Sequence, residues 1–306
     1  MGSSVRPMKW RMIMIAAVVV VVALAVNAFV VTRATRPAQA FDGGRVLQLD
    51  GPDLNVKEYG PAGDRAVVLL HGYSASVEWW NRVTAALLDR RVIAIDLVGH
   101  GGSEAPSDAS HYGIDGQAEA VRRALDALGV EHATLVGHSM GGLVAIALAE
   151  LDPEHVERVA VSDTPAAPHL VQTPALAGLA CVPLIGPAVD LLRSLDPVTA
   201  SSLQTGFADD YQVPALAHRS LKQLTHKGVC KSGNADEERD AADRLAALGK
   251  PVLVVWGERD VLTPTAANVE RYRQAGLTPT VIPGSGHSPM IEKPGEFINA
   301  ITEFIQ

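Results

Sequence analysis

Polar and apolar residues along this chain form short runs whose period changes. Ala66–Leu70 (AVVLL) and Val92–Leu97 (VIAIDL) are nearly continuous apolar stretches, the pattern of strands buried on both faces. Ala133–Val136, Val156–Val161, Pro251–Trp256 and Thr280–Ile282 repeat it. Arg45–Leu49 and Leu54–Tyr59 read as two more strands, joined by the turn Asp50-Gly51-Pro52-Asp53. Between these runs the period lengthens to that of a helix. Ile114–Leu128 sets Ile114, Ala118, Val121, Leu125 and Leu128 on one face and stops at Gly129. Val77–Leu88, Gly141–Glu150, Ala266–Ala275 and Ser288–Phe304 are further predicted helices. Thr263-Pro264 and Ser288-Pro289 each place a capping hydroxyl before a proline, a helix-start signal. Short buried strands alternating with helices predict an α/β protein, a mostly parallel sheet with helices on both faces.

Two segments break the alternation. Met12–Val31 is apolar except for Asn27, and twenty such residues span ~30 Å as a helix, the thickness of a bilayer core. Arg6, Lys9 and Arg11 precede the run, which predicts a cytoplasmic N-terminus with the rest of the chain outside. Ala38-Gln39-Ala40 fits a signal-peptide cleavage site. The run exceeds the ~7–15 residues of a signal-peptide core, which favours an uncut membrane anchor. Both readings stay open, with residues 1–40 as anchor or signal plus linker and 41–306 as the folded domain. The second break covers about residues 164–234. It has no convincing strand and carries prolines at 165, 168, 174, 183, 187, 197 and 214. Leu170–Leu192 is apolar, but its prolines argue against a second straight span. The segment reads as a helical insertion that packs on the sheet or lines an entrance.

Charge sharpens the picture. Residues 1–40 hold five Lys/Arg and no acid, leaving 21 basic against 34 acidic side chains in the remainder. An acidic body excludes nucleic acid as the main partner. Two cysteines, Cys181 and Cys230, make neither a disulfide framework nor a zinc spacing. In an extracytoplasmic domain they are able to pair and staple the insertion.

Gly137-His138-Ser139-Met140-Gly141 is a G-x-S-x-G motif lying between a predicted strand and a predicted helix. That context exposes a serine hydroxyl on a tight turn. A serine needs a base, and His155, His169, His218, His226 and His287 follow Ser139. His287 lies in the glycine-rich loop Gly284-Ser285-Gly286-His287-Ser288 and is the expected base. The orienting acid is expected at Asp260, after the strand ending in Trp256, with Asp163 and then Glu258 as alternatives. The oxyanion is expected to meet the backbone N–H groups of Met140 and Tyr73, the latter in His71-Gly72-Tyr73-Ser74. His71, His100 and His138 read as structural or local neighbours.

HGYS, DLVGHGGSE, GHSMGG, WGERDVLTP and GSGHSPMIEKP, in that order and spacing, resemble the α/β-hydrolase superfamily over about Val46–Phe304, apart from the insertion. The resemblance implies the α/β-hydrolase fold, with the insertion as its cap. It also implies a Ser139–His287–Asp260 triad cleaving a carboxylic ester through an acyl-enzyme. It implies no metal or organic cofactor. Ser139 departs from the aspartate nucleophile of haloalkane dehalogenases and epoxide hydrolases, and HGYS from the HGGG loop of hormone-sensitive-lipase-like esterases. GHSMGG is similar to monoacylglycerol lipases, small esterases and carbon–carbon bond hydrolases, and cofactor-free haloperoxidases share the triad. The apolar insertion and the membrane segment point to a hydrophobic ester. Carbon–carbon hydrolysis or perhydrolysis on the same triad remains the alternative, ahead of a non-catalytic binding module.

Overall fold

The computed structural model describes residues 6–172, 177–193, 195–232 and 240–306. The chain opens with one long helix, α1 (Arg6–Arg33), whose apolar side chains are exposed almost throughout. It is long and apolar enough to cross a membrane. Three strands follow, β1 (Arg45–Leu47), β2 (Leu54–Tyr59) and β3 (Arg65–Leu70). Next come α2 (Asn81–Thr84), β4 (Val92–Ile95), α3 (Ile114–Ala127), β5 (His132–His138), α4 (Met140–Leu151) and β6 (Val156–Ser162). The insertion supplies short helices α5 (Ile185–Asp190), α6 (Asp196–Gln204), α7 (Ala215–Gln223) and α8 (His226–Ser232). The chain closes with α9 (Ala241–Ala247), β7 (Val252–Gly257), α10 (Thr265–Gln274), β8 (Thr280–Ile282), α11 (Pro289–Glu292) and α12 (Pro294–Thr302).

The strands form one sheet in the order β1-β2-β4-β3-β5-β6-β7-β8. β1 and β2 are antiparallel; from β4 to β8 every pair is parallel. Alternate residues of each central strand feed two cores. Val68, Leu70, Val159 and Val161 pack with α3, α4, α9 and α10 on one face. Val67, Leu69, Val136 and Ala160 pack with Trp80, Phe297 and Ile301 on the other. This is the two-sided burial that the apolar runs encode. Strand order reverses at β3, which lies between β4 and β5. In open α/β sheets the crevice at such a reversal, outside the carboxyl ends, is where ligands bind.

Local details follow the sequence unevenly. α3 buries Ile114, Ala118, Val121 and Leu125 and ends as expected at Gly129, whose φ is +64°. Val130 N–H donates to Leu125 O and Gly129 N–H to Asp126 O, the two bonds of a Schellman cap. Val77–Leu88 is not one helix but a 3-10 turn, Val77–Trp80, followed by the single turn α2. Trp79, Trp80 and Val83 are all buried, so tertiary packing rather than helix continuity shapes this stretch. Ser288–Phe304 is likewise two helices. Pro294 has no N–H to give and disfavours a helical Lys293, which sits at φ −133°, ψ 57°. Neither predicted hydroxyl cap forms. Thr263 and Ser288 spend their hydroxyls on Asp260 and on Gly206 O.

Among the described residues of the insertion there is no strand. Residues 173–176, with Pro174, and residues 194 and 233–239 lie outside the described residues. Cys181 and Cys230 are paired, with Cα atoms 5.4 Å apart, joining the stretch before α5 to α8.

Candidate active site

β5 ends at His138, and Ser139 follows at φ +50°, ψ −119°, a conformation side chains rarely adopt. Neighbours hold it there. Ser139 N–H donates to Ser162 O at 2.8 Å, and Ser139 O accepts from Gly142 N–H at 2.9 Å and Thr164 Oγ1 at 3.1 Å. The flanking glycines are a packing requirement. A Cβ on Gly137 would lie 2.3 Å from Gly141 O, and one on Gly141 would lie 2.2 Å from Leu70 O. So α4 crosses close behind the strand ends, and its first N–H groups, Met140's among them, lack partners within the helix.

The HGYS loop leaves β3 beside this turn: a Cβ on Gly72 would stand 3.1 Å from Ser139 Cβ. His71 is wholly buried. Its Nε2 accepts from Leu97 N–H at 3.0 Å and its Nδ1–H donates to Gly72 O at 2.8 Å. Burial, with His100 near, depresses its pKa well below the ordinary value. It is a neutral strut, as expected. Asp96 holds the same loop. Its carboxylate accepts from Val77 N–H at 2.7 Å, Gly102 N–H at 2.8 Å and Asn55 Nδ2 at 2.8 Å. Burial still pushes its pKa up to about 6.

The loops after β7 and β8 bring Asp260 and His287 together. His287 Nδ1 donates to Asp260 Oδ2 at 2.7 Å, with both residues buried. The rest of the Asp260 carboxylate is occupied. Oδ1 accepts from Leu262 and Thr263 N–H at 2.9 Å each, and Oδ2 from Thr263 Oγ1. This fixes the carboxylate before the imidazole arrives, and with it the tautomer that leaves Nε2 unprotonated. His138 binds the same loop: its Nε2–H donates to His287 O at 2.7 Å. Burial, then the nearby His287, lowers the His138 pKa to about 3, so its ring stays neutral.

The other sequence candidates separate cleanly. Asp163, at the end of β6, is buried beside Asp260. It accepts from Gly257 N–H at 2.8 Å and Ser162 Oγ at 2.7 Å. Desolvation, and then the charge of Asp260, raise its pKa well above the carboxylate range. Glu258 accepts from Gly284 N–H at 2.8 Å in an exposed loop bond. His155 pairs with Asp152 at the surface, and His226 lies in α8 next to Cys230. Asp163, Asp260 and His287 lie close enough to hold a cation, but hydrogen bonds already engage both Asp260 oxygens and His287 Nδ1.

Sequence reasoning missed Glu292. It is buried, and its Oε2 accepts from Gly286 N–H at 3.0 Å and Ala208 N–H at 2.8 Å, its Oε1 from Ser288 N–H at 3.1 Å. One carboxylate thus clamps the His287 loop to the insertion. Its position in a short helix after a proline gave no signal beyond ordinary helix charge. Glutamine keeps only one acceptor oxygen, so Glu292→Gln leaves at least one of these N–H groups facing an amide. We expect urea denaturation to show a loss of about 2–3 kcal/mol; an unchanged midpoint would refute the clamp.

Comparison with known proteins agrees with this architecture. A family model described as alpha/beta hydrolase fold matches residues 65–294. An uncharacterized protein of Mycobacterium tuberculosis is 30% identical over 78% of this chain and 75% of its own length. Est816, solved as an N-acyl homoserine lactone degrading enzyme, is 28% identical with TM-score 0.64, covering 85% of this chain and all of its own. A bacterial membrane phospholipase A, 24% identical with TM-score 0.67, matches in fold over 98% of both chains. With the eight-stranded sheet and its reversal point already in place, the chain belongs to the alpha/beta hydrolase fold family.

Proposed function

We propose that this hydrolase cleaves carboxylic esters through a covalent acyl-serine. The observation that carries the reading is the buried Asp260–His287 pair, its carboxylate pre-loaded, on the same sheet edge as Ser139 at positive φ. Ser139 Oγ attacks the carbonyl carbon as His287 Nε2 takes its proton. The N–H groups of Tyr73 and Met140 meet the oxyanion. His287 returns the proton to the leaving alcohol, and water cleaves the acyl-serine by the reverse route. The lactone that the similar Est816 degrades is a cyclic carboxylic ester, which supports the bond type.

The ester is hydrophobic, and the enzyme acts from a membrane. The chain after α1 joins the folded domain before Ala40. Arg36 pairs with Ala105 as an antiparallel bridge, and its guanidinium donates to Gln223 O at 2.7 Å and Ser103 O at 2.8 Å. Gln39 N–H donates to Gly102 O at 2.8 Å. Cleavage after Ala40 would strip a half-buried arginine from the loop beside the site, so α1 stays as an uncut anchor. The Cys181–Cys230 bond fits a domain outside the cytoplasm. The test is hydrolysis of nitrophenyl esters from acetate to palmitate by the full chain in detergent, with a fluorophosphonate added in parallel. We expect an optimum at medium or long acyl chains and a phosphonate mass shift confined to the peptide bearing Ser139. Turnover without any such adduct would sink the acyl-serine route.

A further inference from the structure

The insertion and the membrane helix touch. α1 packs against α5 and α8. Asn27, the one polar residue in the run Met12–Val31, donates through Nδ2 to Pro187 O at 2.9 Å. Asn27 stands six residues before the end of α1 at Arg33, ~9 Å of helix rise. A span that crosses a bilayer therefore carries its contact with α5 below its own end, at the depth where head groups meet acyl chains.

The stretch of insertion at that depth is apolar outward. Residues 177–192 contain one charged side chain, Asp190, and it is paired inward with Arg193 at 2.9 Å. Leu179, Leu184, Ile185, Leu192 and Leu195 are exposed. An apolar patch of this kind marks an interaction surface, and its continuity with α1 indicates what covers it. The patch is also wired to the site. The Cys181–Cys230 bond ties it to α8, and the residue before Cys230, Val229, accepts through its carbonyl from Tyr73 Oη at 3.3 Å. Tyr73 belongs to the loop beside Ser139.

We propose that this patch docks into the phospholipid bilayer beside α1, so that the site draws its ester from the lipid phase. The choice of substrate rests on the ester-hydrolase reading above; the docking does not. A bilayer supplies the apolar cover that water denies Ile185 and Leu192, and α1 holds the patch at the depth where that cover begins. The enzyme is thereby held at two points, the span and the insertion, with the oxyanion loop one hydrogen bond behind the second.

Single cysteines at Ile185 and Leu192 test it in the full chain, reconstituted in phosphatidylcholine vesicles. Controls go at the exposed Leu88 and at Leu151, which ends α4 at the far end of that helix. Because Cys181 and Cys230 are bonded, a maleimide fluorophore under non-reducing conditions reaches only the introduced thiol. We expect acyl-chain nitroxide lipids to quench the probes at 185 and 192 several-fold more than those at 88 and 151. Aqueous iodide should show the reverse order. Equal iodide access at all four sites overturns the docking, as does protection from iodide without nitroxide quenching, which would mean a second copy covers the patch. The double variant Ile185→Asp/Leu192→Asp should lower kcat/KM on a vesicle-borne ester at least tenfold and leave soluble nitrophenyl butyrate within twofold. Unchanged turnover in vesicles overturns the lipid-phase supply. Loss of all ester turnover in the wild type, with quenching intact, would instead sink the ester-hydrolase reading alone.

Discussion

Replacing Ser139 with alanine should reduce ester turnover by about three to six orders of magnitude and leave the fold intact. The expectation of an intact fold comes from the bonds that hold the turn. Ser139 N–H to Ser162 O, Gly142 N–H to Ser139 O and Thr164 Oγ1 to Ser139 O all run through the backbone of residue 139. Alanine retains every one of them. The positive φ is imposed by the crossing of α4 behind β5, and alanine bears it no worse than serine. What disappears is the oxygen that the proposed mechanism uses to form the acyl bond. The proposed donors at Tyr73 and Met140 and the pair Asp260–His287 remain, and on that proposal a residual rate above that of water is expected. Steady-state kinetics on the best nitrophenyl ester, beside thermal unfolding of both proteins, reads both halves. Turnover within tenfold of wild type, with unfolding unchanged, would place the nucleophile elsewhere and turn attention to carbon–carbon hydrolysis or perhydrolysis.

The fold, and the sheet edge that gathers most of the candidate residues, were legible because each signal was local. Apolar runs of five or six residues in Ala66–Leu70 and Val92–Leu97 have one stable reading, burial on both faces of a sheet. Gly129 ends α3 because only a residue content at positive φ closes both Schellman bonds. The candidates Ser139 and His287 were readable from glycine-rich turns at the ends of predicted strands, and Asp260 from its place after the strand ending in Trp256. What escaped was long-range. Thr263 is a local exception, since its hydroxyl serves Asp260, three residues earlier, rather than capping α10. Nothing near Ser288 says that Gly206 will claim its hydroxyl. Val77–Leu88 has helical periodicity, but two buried tryptophans and the Asp96 carboxylate on Val77 N–H decide its shape. Arg36 looked like a flank of the membrane run, whereas its guanidinium bonds chain segments 64 to 187 residues away. Hydrogen bonds of that span leave no period and no spacing in the sequence.

The choice of acid is the second large effect, and two substitutions separate the candidates. Asp260→Asn should lower kcat by about 10⁴-fold. Its side chain must still accept from Leu262 and Thr263 N–H, which claims its single carbonyl oxygen. The amide nitrogen then faces His287 Nδ1, a donor against a donor. The imidazole escapes only by moving its proton to Nε2, which removes the base that Ser139 needs. Asp163→Asn should behave differently. Burial and the charge of Asp260 hold Asp163 toward its protonated form, so a neutral amide is close to what already stands there. Its carbonyl can keep the bond from Gly257 N–H, and the Ser162 hydroxyl can turn to accept from the new amide. A loss within about tenfold is expected, close to what rearranging one buried neutral hydrogen bond costs. The comparison is made on kcat at saturating ester for both variants, with thermal unfolding to exclude collapse of either. If Asp163→Asn proves the more damaging, the imidazole is oriented from the end of β6 and the Asp260 contact is a resting arrangement. The geometry argues otherwise. Asp260 touches His287 Nδ1 at 2.7 Å and has both oxygens fixed by its own loop, whereas Asp163 accepts from Gly257 N–H and Ser162 Oγ. A carboxylate orients an imidazole only where it reaches the ring, and at this sheet edge Asp260 does so, at 2.7 Å from His287 Nδ1.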